Sequence, residues 1–341
     1  MAKKTSKPKG IKPEMLEKVN DQRREITEII ISMMEKDPIR WVQQWTESTR
    51  GILAPISGRT GRVYRGRNAA TLAATMYCEG FTDPRWYTIQ NVAKHEGWTI
   101  KEEAICRLIE KWSTTFGVMP VLDGSGNIKT DEDGNEVWRR YQKPILLDAY
   151  YVVNASQIEG IEPFAREEGA EPEKTDDDAG RFCDELISAC DFTKVLERWT
   201  VETPCFSPLT ETVKMPDRRQ YTDNMHFMAD LSHELTHATS IRLHRNIKGK
   251  FGSQDYAREE LIAELGSAYI QHDAGFIPAD AYSGDNAALK AYAESHIAYL
   301  QSWIKALRED PEAIYIAANA ADRAAEYIAW HLAGKPSNKA A

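Results

Sequence analysis

At 341 residues the chain is long enough for two domains of ordinary size, at roughly 150 residues each, so two cores are expected rather than one. Its 42% hydrophobic and 28% charged residues exclude a disordered or fibrous protein, and no apolar run approaches the ~18 residues of a membrane helix. The net charge of −9 argues against a polyanion partner for the chain as a whole, yet residues 1–100 carry 17 Lys and Arg against 11 Asp and Glu, so the acidic excess lies further on.

Residues 1–12 are rich in Lys, Pro and Gly and are expected to form a disordered basic arm. From Pro13 to about Lys36, Met15, Leu16, Val19, Ile26, Ile29, Ile30 and Met33 recur at helical spacing. Helices are expected at 68–78 and 88–96, joined by the turn-forming 80–85. Turn signals at 123–126 and 131–135 predict a hairpin flanked by 117–122 and 136–142, and the run 144–154 reads as a strand. The acidic, proline-containing stretch around 167–180 reads as a solvated connection. Beyond it the pattern is mostly helical, at 181–197, 224–243, 256–274, 287–307 and 312–332, with room for two short strands between 203 and 219. The expected fold class is therefore α+β in two domains: an α+β domain over 13–160, a linker over 161–180 and a mainly helical domain over 181–335. No charged-then-apolar leader opens the sequence, and the five cysteines (Cys78, Cys106, Cys183, Cys190, Cys205) form no C-x-x-C pair. Free thiols fit a reducing cytoplasm.

The sharpest chemical signal is His233-Glu234-Leu235-Thr236-His237. On a helix the two histidines stack at i and i+4 and can offer imidazole nitrogens to one metal ion. Glu234 sits about 100° round the helix, where it can take a proton from a water. Met225, Phe227, Met228, Leu231 and Leu235 make the segment a core helix, which should not bury two histidines and a carboxylate without a partner. A catalytic zinc takes three protein ligands and keeps one position open. The elongated signature ending in a third histidine is excluded, because Ser240 and Leu243 stand at its last two fixed positions. A following helix offers acids instead, Glu260 and Glu264, stacked one turn apart. This pair resembles the E-x-x-x-D arrangement of thermolysin-like zincins, which makes Glu260 the third ligand and Glu264 the group that buttresses a histidine, with the swapped assignment as the alternative. Zinc is the expected ion, another divalent metal the alternative. His226, Tyr256 and Tyr269 are candidates for stabilising a transition state.

In the basic half, residues 50–68 interleave Arg50, Arg59, Arg62, Arg65 and Arg67 with glycines and Tyr64. Arginines neutralise phosphates, and an aromatic ring can stack on an unpaired base. Trp41, Trp45, Trp86 and Tyr87 are further candidate stacking platforms. Single-stranded DNA is the expected partner, with duplex DNA as the alternative, because no basic recognition helix is evident.

With both halves read, the chain resembles the ArdC-type antirestriction proteins of plasmids and phages. The likeness rests on Pro55 and the Thr60-Gly61, Tyr64-Arg65-Gly66 and Asn68 that follow it, on residues 80–86, 150–160, 233–237 and 256–269, and on Asp285-Asn286. Ser57 and the stretch 101–107 depart from the family pattern in the DNA-binding half. The resemblance implies a single-stranded-DNA-binding domain joined to a zincin-like metallopeptidase domain, acting in a bacterial cytoplasm. Taken together with the reading of the two halves, DNA contact is expected on Arg59, Arg62, Tyr64, Arg65, Arg67, Arg85 and Trp86, metal binding on His233, His237 and Glu260, and base catalysis on Glu234. It further implies protection of incoming DNA from host restriction; the alternative is a peptidase that cleaves a host defence protein and uses DNA only for targeting.

Overall fold

The computed structural model describes residues 10–36, 41, 45, 54–121, 123, 127–165, 174–245, 253–276 and 300–334. Most of the expected arm, residues 166–173 of the acidic connection and the greater part of the helix expected at 287–307 lie outside these, and residues 176–180, expected in the connection, already belong to a helix. Helix α1 (Pro13–Lys36) buries one stripe, including Val19, Ile26, Ile30 and Met34. Just before it, the Ile11 amide donates to the Leu146 carbonyl at 3.0 Å, so residues 10–12 dock on the sheet and are not part of a free arm.

Helix α2 (Gly66–Glu79) ends at Gly80, whose left-handed φ of 66° a side chain would resist. Where a helix was expected at 88–96, the chain first makes strand β2 (Arg85–Thr88) and then only the short helix α3 (Ile89–Ala93). Trp86, Tyr87 and Thr88 favour a pleated surface and find a partner strand, and the Thr88 hydroxyl caps the helix by accepting from the Asn91 amide.

The sheet runs β1 (Ile56–Ser57), β2, β5 (Trp138–Asn154), β4 (Cys106–Pro120), with β1 and β2 parallel and the rest antiparallel. Thus 136–142 and 144–154, expected as separate strands, merge into one long strand. Pro144 does not interrupt it: there β5 pairs only with β4, and its other edge requires no amide donor. A small pair, β3 (Thr99–Ile100) with β6 (Ile158–Glu159), closes the end of this half.

Helix α4 (Asp176–Ala189) starts from a reciprocal capping box between Thr175 and Asp178. It stops eight residues short of the expected 197, because Lys194–Arg198 becomes strand β7, recruited by parallel pairing with β9 (Thr212–Pro216). Strand β8 (Cys205–Ser207) completes that sheet in the order β7, β9, β8. Helices α5 (Asn224–Arg242), α6 (Gln254–Asp273) and α7 (Ala313–Leu332) follow, with a further helical stretch over 300–309 that lends Leu300, Trp303 and Leu307 to the core. Among the described residues no helix is long and apolar enough to cross a membrane.

Smaller clusters around Val153, Leu108 and Trp86 lie wholly in the first half, but the largest crosses the boundary between the halves. The principal cluster joins Ile26, Ile30, Met34, Ala70 and Ala74 of the first half to Leu231, Leu235, Leu265, Tyr315 and Ala321 of the second. An ionic knot, buried at Arg23 and Glu110 and opening to solvent at Glu312, crosses the same boundary. The Arg23 guanidinium makes two bonds to Glu110, at 2.9 and 2.6 Å, and reaches Glu312 before α7, which Arg67 also contacts at 3.3 Å.

Candidate functional site

The second-half site is built where α5 crosses α6. Asp223 caps α5 by accepting from the His226 amide at 2.8 Å. Close approach of the two helices depends on Gly266: a Cβ there would lie 2.5 Å from Thr236 Cγ2, in the middle of the His-Glu-x-x-His segment. At this distance the carboxylates of α6 reach the histidines of α5.

His233 Nε2 lies 3.5 Å from Glu260 Oε2 and His237 Nε2 lies 3.6 Å from Glu260 Oε1. One ligand atom from each of His233, His237 and Glu260 falls within 4.8 Å of the others. The opposite ring nitrogens face other acids, Glu264 at 3.5 Å from His233 Nδ1 and Glu259 at 3.2 Å from His237 Nδ1. Both rings thus point Nε2 at one spot, and carboxylates on the far side orient them. Glu259 is in turn clamped by Arg245, at 2.9 and 3.1 Å.

Burial alone would make His233 harder to protonate, but Glu260 and Glu264 outweigh it and hold its pKa well above the ordinary value. For Glu259 and Glu260 burial acts upward, and the facing histidines, with Arg245 for Glu259, bring both below the usual carboxylate range. Tyr256 donates to Glu260. Glu234 differs: burial raises its pKa against the opposing pull of His237 and His233, and its Oε2 is buried without a hydrogen-bond partner. Two aimed imidazoles, a carboxylate opposite them and an orphaned buried carboxylate oxygen beside them fit a divalent metal with an attacking water.

The pairing of Glu259 and Arg245 was missed in the sequence. Glu259 precedes Glu260 and so sits on the next face of the helix, but nothing marked Arg245, which lies past the end of α5. His226 is engaged by Asp223 at 2.7 Å. Tyr269 accepts from the Trp45 indole at 2.7 Å.

In the first half, Arg59, Arg62 and Arg65 are exposed on the turn between β1 and α2. Arg65 lies 3.7 Å from Asp322, and Arg67, half-buried against Glu312, sits 5.1 Å over the Trp112 ring. Arg85 is held by Asp83 at 2.6 Å and by the Glu162 carbonyl at 2.7 Å. Tyr64 is half-buried and packs with Leu72, Met76 and Trp86. Trp86 itself is only 1% exposed, edge-on to Phe81, so it cannot offer a face to a base. Trp41, Trp45 and Tyr87 are buried as well. These residues have aromatic side chains because the core needs their bulk.

Residues 20–146 match the family model for the N-terminal domain of anti-restriction factor ArdC, and residues 184–320 match that for the zincin-like metallopeptidases. The chain is therefore an ArdC-type two-domain protein. Its fold is similar to the crystal structures of antirestriction ArdC protein from the R388 plasmid. The metal-free form aligns at a TM-score of 0.55 and 24% identity over 93% of this chain and 100% of that one. The Mn(II)-bound form aligns at a TM-score of 0.57 and 24% identity, over 91% and 98%. A DNA primase TraC of Escherichia coli is 28% identical over 89% of this chain, which spans only 26% of that relative's length. The y4eC protein of Sinorhizobium fredii is 29% identical over 89% of this chain and 90% of its own length.

Proposed function

We propose that the protein protects incoming plasmid or phage DNA from host restriction, its first half holding single-stranded DNA and its second half carrying a zinc metallopeptidase-type site. The observation that supports the site is the convergence of His233, His237 and Glu260 beside Glu234, whose Oε2 is buried without a hydrogen-bond partner. The three would hold the ion and Glu264 and Glu259 would orient the histidines. Zinc, when bound, would supply Lewis acidity toward a carbonyl and toward water. Glu234 would take the proton of the attacking water and hold it for a departing amine. Arg59 and Arg62, exposed and turned from the core, are the arginines best disposed toward phosphates, with Arg65 beside them.

A second reading has the site cleave a host defence protein, with DNA serving only for targeting. The orphaned Glu234 oxygen favours it, since a purely structural metal site has no use for a buried, unsatisfied carboxylate. Transfer of unmodified DNA into a restricting host carrying wild type or Glu234→Ala separates the two. Equal protection by the variant leaves DNA masking as the mechanism. Loss of protection by a folded variant that still binds zinc makes hydrolysis the mechanism.

A further inference from the structure

The hairpin of β4 and β5 continues far beyond the sheet. Strand β2 supports β5 only at residues 152–154 and the segment before α1 meets it at Leu146, so from Ser113 to Pro120 and from Trp138 to Pro144 no other strand flanks the pair. After the irregularity at Lys111 and Trp112 the register pairs Phe116 with Gln142, Val118 with Arg140 and Pro120 with Trp138. Residues at alternate positions share a face, which puts Trp112, Phe116, Val118, Trp138 and Arg140 on one side. The four apolar ones are 39%, 57%, 64% and 51% exposed, and the Arg140 guanidinium lies 4.7 Å over the Phe116 ring.

Large rings left in water on a two-stranded ribbon are costly unless something covers them. The charges indicate what does. Residues 111–120 and 138–147 include four cations, Lys111, Arg139, Arg140 and Lys143, and no carboxylate. On the other face Tyr141 lies across Gly117, where a Cβ would meet its ring at 2.6 Å, with Arg139 and Lys143 two residues to either side. At its base the ribbon meets the arginine turn, since Arg67 lies over Trp112. Its far end is acidic, with Asp131, Glu132, Asp133 and Glu136, which confines a polyanion to the shaft.

We infer that the aromatic face of this ribbon is a stacking surface for single-stranded nucleic acid, its bases lying on Trp112, Phe116 and Trp138 while the flanking cations and the arginine turn meet the phosphates. The inference rests on the reading that the first half binds DNA, and it assigns that binding to residues outside the arginine turn. Aromatic rings interleaved with cations suit a strand with unpaired bases, because every base has a face to stack and a duplex hides it.

The test measures binding of a roughly 20-nucleotide fluorescent oligo(dT) to the full chain, at several salt concentrations. Removing both outer rings in Phe116→Ala with Trp138→Ala should weaken binding at least about fivefold per ring, while Phe116→Tyr with Trp138→Phe should stay near wild type. The alanine pair keeps every cation, so its slope of log affinity against log salt should remain that of wild type. Wild-type affinity in the alanine pair, with wild type itself binding, would overturn the ribbon assignment and leave the DNA reading standing. Failure of the wild type to bind would overturn both. Sedimentation showing a wild-type dimer that the alanine pair dissociates, with DNA affinity unchanged, would make the face a contact between copies and overturn the inference.

Discussion

Gly266→Ala tests how the fold builds the site. The added Cβ would meet Thr236 Cγ2 at 2.5 Å, Oγ1 at 2.7 Å and Cβ at 3.2 Å, where non-bonded carbons rest at about 3.5–4.0 Å. Thr236 is fully buried and its hydroxyl donates to the Ser232 carbonyl at 2.8 Å, so it cannot rotate away without losing that bond. The helices must then separate by about 1 Å. Overpacking of this kind costs about 1–3 kcal/mol, partly offset by the roughly 1 kcal/mol that alanine gains over glycine inside a helix. The net expectation is a destabilisation of about 0–2 kcal/mol together with weaker metal binding, because Glu260 and Glu264 shift relative to both histidines. Chemical denaturation of the metal-free protein and calorimetric titration with zinc measure the two effects. Thr236→Ala in the same chain removes the two closest contacts and should restore part of each, giving a stabilising coupling in the double-mutant cycle. An alanine variant as stable as wild type, with unchanged zinc affinity and no coupling to Thr236→Ala, would refute the close approach of α5 and α6.

Arg245→Ala should release Glu259 from its clamp and weaken zinc binding by roughly 10–100-fold without removing a ligand, read by competition with a chelating dye. Arg23→Met should cost about 3–5 kcal/mol in urea unfolding by stranding the buried Glu110, and Glu110→Leu in the same chain should recover much of it. Exposed Cys78 and Cys205 should react with a thiol reagent at about pH 8, whereas Cys183 and Cys190, buried and with pKa values pushed up to about 12, should react only in denaturant.

Local signals in the sequence carried the second half well. The pattern at 224–243 matches α5 to within one residue, and the acids at 260 and 264 face the histidines as their spacing implied. Signals failed where a distant partner decided the outcome. Residues 194–198 form a strand because β9 lies beside them, and Trp86 to Thr88 form one because β5 does. Aromatic residues misled for the same reason. Trp86 and Phe116 are equally apolar in a list, yet one fills the core and the other stands in water, and only the length of the hairpin past its last supporting strand separates them.

The shared core changes what the arginine turn can do. Arg65 faces Asp322 and Arg67 faces Glu312, both acids of the second half, and Glu312 also receives Arg23. A phosphate approaching Arg67 must compete with a carboxylate already in place 3.3 Å away. On the proposed DNA-binding reading Arg67 should therefore contribute less than its place in a run of arginines suggests, since it ties the turn to Glu312 and to Trp112 at the base of the ribbon. Among the described residues around this turn, the exposed arginines without an acid partner are Arg59 and Arg62, and the ribbon adds its own cations. For that reason replacing Arg59 and Arg62 should reduce the salt dependence of DNA binding, whereas replacing Arg67 should reduce stability first.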